Sequence, residues 1–146
     1  MKLENILSVI ANSSKVRYEP WSLTDNGYTN GRPSWVIYDN NLPVAALSND
    51  SDDQSNIVIR HIESLKKGFA TMLIRSLLDR GFTIKTGRPG YNSISPCAYH
   101  LFKKIDRLSK EWGIDSERIG KADNSGKGYK ELDDIDVQHF RWKKCK

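Results

Sequence analysis

His61 lies in Asn56–Ile62, a β-branched run that reads as a strand, and Glu63 follows directly. Alternate side chains of a strand share a face, so His61 and Glu63 sit side by side. Either could take a proton at neutral pH, the histidine because its unperturbed pKa is near ~6.5. A strand-end histidine bonded to its neighbour would carry the same letters. Next comes Leu65-Lys66-Lys67-Gly68-Phe69-Ala70, a small-residue turn between the strand and a helix. A helix start exposes unpaired N–H groups, and with the helix dipole these favour phosphate oxygens. Gly68 and Ala70 let backbone approach a ligand closely, and Lys66 and Lys67 add charge. A glycine that only starts a helix would look alike. No Lys-Ser or Lys-Thr follows the glycine, which excludes a Walker-type loop, and no Gly-x-Gly-x-x-Gly is present.

The other reactive side chains stand apart. His100 and His139 have no metal-ligand partners at sensible spacing, so no metal is expected. Cys97 and Cys145 make neither a disulfide framework nor a metal site, and a reducing cytoplasm is the expected compartment. Asp133, Asp134 and Asp136 read as a solvated turn that a cationic amine would also suit.

The elements that must position these groups can be traced by periodicity. Leu3–Ala11 has helical spacing. Lys15–Trp21 reads as a short strand and Thr24–Pro33 as loop. Ser34–Tyr38 and Val44–Ser48 flank Asp39-Asn40-Asn41 as a hairpin. Asn49–Ser55 is an acidic turn. Val58 and Ile62 face one way and Ile57 and Ile59 the other, so both faces of that strand read as buried. Gly68–Arg80 is a helix with a stripe of Phe69, Met72, Leu73 and Leu77, flanked by Ile74 and closed by Gly81. Phe82–Thr86 is a short strand and Gly87–Ile94 a loop. Ser95 caps a second helix with Pro96 at its first position, and Gly113 stops it. Ile114–Asp136 shows no readable pattern, and Val137–Trp142 is a final strand. The order predicts a mixed α/β chain, and 146 residues fit one domain spanning 1–146.

Composition narrows the classes further. No apolar run approaches the ~18 residues that span a bilayer, so no membrane partner is expected. The N-terminus reads as a helix and not a secretion signal. The net charge of +5 is uneven: the balance is −3 over residues 1–59, +5 over 60–90 and +3 over the rest. That central excess suits an anionic ligand, or simply a solvated surface.

Asn56–Ile105 as a whole resembles the GCN5-related N-acetyltransferase (GNAT) family. In that family a central strand leads into Gln/Arg-x-x-Gly-x-Gly/Ala, matched here by Leu65 to Ala70 with Leu65 in the leading place. A second motif, Asn-x-x-small-x-x-Ala-x-x-Leu-Tyr-x-Lys, is similar to Asn92 through Lys104. With the Trp35–Ser48 hairpin, the resemblance covers about residues 32–105. It implies a mixed, mostly antiparallel central sheet flanked by helices. It also implies acetyl-CoA as co-substrate and direct attack of a primary amine on the thioester. Coenzyme contacts would fall at Ile62, Leu65, Lys66, Lys67, Gly68, Phe69, Ala70, Thr71, Asn92 and Phe102. Catalytic candidates are His61 and Glu63 as base and Tyr99 as proton donor to the leaving thiolate. The family's own tyrosine place is Phe102, which has no proton to give; a water, or no catalysis at all, are the alternatives to Tyr99. The acceptor groove would come from Leu3–Gly31 and Ile114–Asp136. Folds of that family often pair, which makes a homodimer one arrangement the resemblance allows, with the oligomeric state left open. A different class remains open: a binding module that keeps the fold without the reaction. Its basic 60–90 face and its tail Arg141-Trp142-Lys143-Lys144-Cys145-Lys146 would hold nucleic acid or an acidic protein.

Overall fold

The structure is a computed structural model and describes residues 15–21, 32–53, 55–132 and 136–145. The predicted Leu3–Ala11 helix lies outside them. The elements are β1 (Lys15–Trp21), β2 (Arg32–Asp39), β3 (Leu42–Asn49), β4 (Asn56–Ser64), α1 (Phe69–Asp79), β5 (Thr83–Lys85), α2 (Pro96–Leu108), β6 (Ile114–Lys121) and β7 (Gln138–Lys144). A single 3-10 turn, Lys130–Leu132, precedes β7. The seven strands run in the order β1-β2-β3-β4-β5-β7-β6, mostly antiparallel, so the chain is mixed α/β. It divides into two compact units. The first holds the described residues up to Asn49 with His61–Arg80; the second holds Asp50–Arg60 and the described residues from Gly81 onward.

In the first unit β1, β2 and β3 form an antiparallel meander. Its β2–β3 turn is Asn40-Asn41, both at positive φ (51° and 68°), which asparagine tolerates better than most residues and which matches the twist of paired strands. Strand β2 begins at Arg32, two residues before the predicted Ser34, because β1 supplies Trp21 and Pro20 as partners for Arg32 and Pro33. Pro33 has no N–H to give, and the ladder to β3 starts only at Ser34. Val36, Ile37, Ala45, Ala46 and Leu47 are fully buried. Helix α1 packs on β3 and β2. Its predicted stripe of Phe69, Met72, Leu73, Ile74 and Leu77 is buried throughout, and Leu78 is buried beside it. Gly81, at φ 94°, ends it.

In the second unit the first half of β4 pairs in parallel with β5, from Asn56↔Thr83 to Val58↔Lys85. Strand β5 pairs antiparallel with β7, and β7 with β6. Helix α2 starts as predicted: the Ser95 hydroxyl accepts the Ala98 N–H at 3.3 Å, and Pro96 opens the first turn. Phe102 packs edge-on to Trp142 (centroids 5.7 Å apart), and Phe140 stacks on Trp142 at 5.9 Å. The Trp142 indole N–H donates to Ser116 Oγ (2.9 Å), whose hydroxyl donates to Asp106 (2.7 Å). Strand β6 is an element the sequence reading does not contain. The final strand reaches Lys144, two residues beyond the predicted Trp142, because Ile114 and Asp115 of β6 pair with Lys144 and Lys143.

Candidate active site

The first unit brings the predicted base pair into contact. His61 Nε2 lies 2.6 Å from Glu63 Oε1, and both side chains are mostly buried. The second carboxylate oxygen, Glu63 Oε2, is buried and accepts no hydrogen bond among the described residues. A shielded carboxylate oxygen without a donor is costly, and an N–H from an amine would satisfy it.

Beyond Ser64 the chain turns through Leu65 to Gly68. The Leu65 N–H donates to Val44 O (2.7 Å) and the Ser64 hydroxyl to Lys66 O (2.5 Å), which fixes where the strand ends. Gly68 occupies the N-cap of α1 in the left-handed region (φ 89°) and, lacking a side chain, provides no cap. The Phe69 N–H reaches Lys66 O at 3.3 Å and the Met72 N–H reaches Gly68 O at 3.1 Å. Between them, the N–H groups of Ala70 and Thr71 make no hydrogen bond among the described residues. A β-carbon on Gly68 would meet nothing within 4 Å, so the turn borders open space. Leu65 is exposed, Ile62 half-buried, and Phe69, Ala70 and Thr71 are buried.

The charge on this turn is partly spoken for. Lys66 Nζ is 3.0 Å from Asp39 Oδ2, a contact the sequence did not suggest, and Lys67 is exposed. In the second unit Arg60 and Arg88 both pair with Asp50, and in the first Arg75 reaches Asp79 at 4.0 Å. Four of the seven cations of the basic 60–90 segment therefore face carboxylates.

The remaining candidates belong to the second unit. Tyr99 is buried, 7% exposed, with Lys103 Nζ 5.4 Å from its ring centroid. Phe102 sits in the core against Trp142. Asn92 is committed to its own turn: its Oδ1 accepts the Arg88 N–H at 2.6 Å, and its backbone carbonyl accepts from Asp123 N–H (3.0 Å) and His139 Nε2 (2.8 Å). His139 is fully buried, and burial holds its pKa below the ordinary imidazole value, against a smaller opposing effect of the Asn92 bond. Of the carboxylate cluster, Asp136 pairs with Lys121 at 3.7 Å, and Asp133 and Asp134 lie outside the described residues. A cleft of about 670 Å³ opens in this unit, lined by Lys121, Asn124, Tyr129, Leu132, Asp136 and Val137 among others. Its walls fall almost wholly within Ile114–Asp136, one of the two stretches from which the resemblance draws the acceptor groove, although no periodicity marks them.

No protein-family model matches the chain, and no curated protein matches it. Among the described residues no helix is long and apolar enough to cross a membrane.

Proposed function

We propose that this chain is an acetyl-CoA-dependent N-acetyltransferase acting on a primary amine. The observation that carries the reading is the α1 start: a left-handed Gly68 without a side-chain cap, with the Ala70 and Thr71 N–H groups open behind it. That arrangement fits a diphosphate, whose oxygens would complete the orphan donors and meet the positive end of the helix. One further feature supports it. The strand order, with β4 and β5 the parallel pair and a helix after each, agrees with the fold that the motifs resemble.

When bound, the coenzyme supplies an acetyl group activated as a thioester. In the chain, Ala70 and Thr71 N–H groups hold phosphate oxygens and Lys67 adds charge. The His61–Glu63 pair receives the proton that the amine sheds as its nitrogen bonds to the acetyl carbon and the carbon–sulfur bond breaks. A water protonates the departing thiolate. The polyanion-binding reading rests on the basic 60–90 segment and the tail from Arg141; four of the seven cations of that segment face carboxylates, and Arg141 faces Glu117. Isothermal titration with acetyl-CoA tests the proposal, together with thiol release in the presence of a panel of primary amines. Binding with amine-dependent thiol release is the expected result; absence of binding at high-micromolar coenzyme removes the reading.

A further inference from the structure

The His139 ring lies entirely within the second unit and is fully shielded from solvent. Its Nε2 is 2.8 Å from the Asn92 carbonyl oxygen, which can only accept, so Nε2 carries the hydrogen. Its Nδ1 is 3.0 Å from Thr86 Oγ1. That oxygen already accepts the Phe140 N–H at 2.9 Å, and its own hydrogen is directed to Nδ1. Every donor and acceptor is satisfied in one state alone, the neutral ring with hydrogen on Nε2. A proton on Nδ1 would set the ring N–H against the Thr86 hydroxyl hydrogen, which would have to turn away inside a buried site. The ring has little room to escape: a β-carbon on Gly87 would lie 2.4 Å from His139 Cε1 and 2.9 Å from Nδ1.

What the ring holds is the turn from Arg88 to Asn92. The Asn92 carbonyl takes His139 Nε2–H and Asp123 N–H, its side chain takes Arg88 N–H, and Gly90 N–H reaches Lys121 O at 2.9 Å. Phe140 and Trp142 point toward α2, so His139, by alternation, points away from it. The charged groups on the other elements around it are Lys85 on β5, Arg88 in the turn, Arg118 and Lys121 on β6, Asp123 beyond β6 and Arg141 on β7. Burial holds the ring's pKa below its ordinary value, and the Asn92 bond opposes this.

We infer that His139 is an acid-sensitive latch on the 88–92 turn, closed while its imidazole is neutral and released when it takes a proton. In the released turn the imidazole regains an ordinary pKa. Opening therefore becomes easier as pH falls below ~6.5, by up to about tenfold per pH unit until the latched ring itself protonates. Asn92 is one of the residues proposed for coenzyme contact, but the latch does not depend on that reading and is tested with no coenzyme present.

The test is amide hydrogen exchange across pH 7.5 to 5.0, corrected for the intrinsic pH dependence of exchange. Protection at Gly90, Asn92 and Asp123 should fall with acid by more than tenfold in total while Ile105 in α2 stays level. His139→Gln should flatten that dependence. Long-range proton–nitrogen correlation of the imidazole in the unmodified chain is a second measurement that needs no variant, and it should show a neutral ring with hydrogen on Nε2 at pH 6. A ring already protonated at pH 6, hydrogen on Nδ1, or protection at the three amides unchanged over the range would overturn the latch.

Discussion

Gly68 allows the diphosphate assignment to be tested with one residue and two substitutions. Its φ of 89° disfavours any L side chain, so Gly68→Ala should cost about 1–2 kcal/mol of stability. No steric cost adds to this, because a β-carbon there meets nothing within 4 Å. Gly68→Glu carries the same backbone cost and places a carboxylate in the space proposed for phosphate. A unit charge about 6 Å from a phosphate charge, at an effective dielectric constant of about 20, repels by about 2.8 kcal/mol. Salt at ~0.15 M, with a Debye length of about 8 Å, cuts this by roughly half at an exposed turn. The Glu variant should therefore bind acetyl-CoA about tenfold more weakly than the Ala variant, at matched stability. Titration calorimetry at two ionic strengths reads both the gap and its narrowing with salt. If the two variants bind the coenzyme within about twofold of each other, the phosphates are not at this turn, and the reasoning fails at its first step.

Asp39→Asn should free Lys66, now 3.0 Å from the carboxylate, and tighten coenzyme binding by up to about fivefold, the scale of a surface ion pair; direct titration checks it. Glu63→Gln should lower amine-dependent thiol release by about 10²–10⁴ while leaving coenzyme affinity near that of the unmodified chain, as steady-state kinetics and titration together would show. His139 also makes a global prediction. Its folded pKa lies below that of the unfolded chain, near ~6.5, so its contribution is complete above ~6.5 and is lost as pH falls toward the folded value. Unfolding free energy should fall there by up to about 1.4 kcal/mol per pH unit more in the unmodified chain than in His139→Gln, measured by denaturant titration.

What the sequence makes legible here is what repeats or sits close along the chain. The α1 stripe is read correctly because a helix on a sheet buries every third or fourth residue, and Phe69, Met72, Leu73 and Leu77 obey that spacing. Asp39-Asn40-Asn41 and Ser95-Pro96 are legible because turn and cap chemistry is local. The His61–Glu63 contact is legible because strand alternation alone places the two together. Strand β6 is hidden for the converse reason: among its eight residues Ile114 alone is buried, so no alternation marks it as a strand. The Lys66–Asp39 pair spans 27 residues, and the His139–Thr86 bond spans 53; both exist because sheet pairing brings distant segments together. A lone histidine in the sequence shows nothing of its partners.

Strand β6 stands last in the strand order, with Asp115, Glu117, Arg118 and Lys121 along it and a register shift between Arg118 and Gly120. A long, flat, apolar margin would offer its backbone to any passing extended chain. Here the kink interrupts a continuous template, and side chains of both signs would have to shed water for a stranger to zip on. The polarity that hides β6 from periodicity is thus the same property that guards this margin against aggregation.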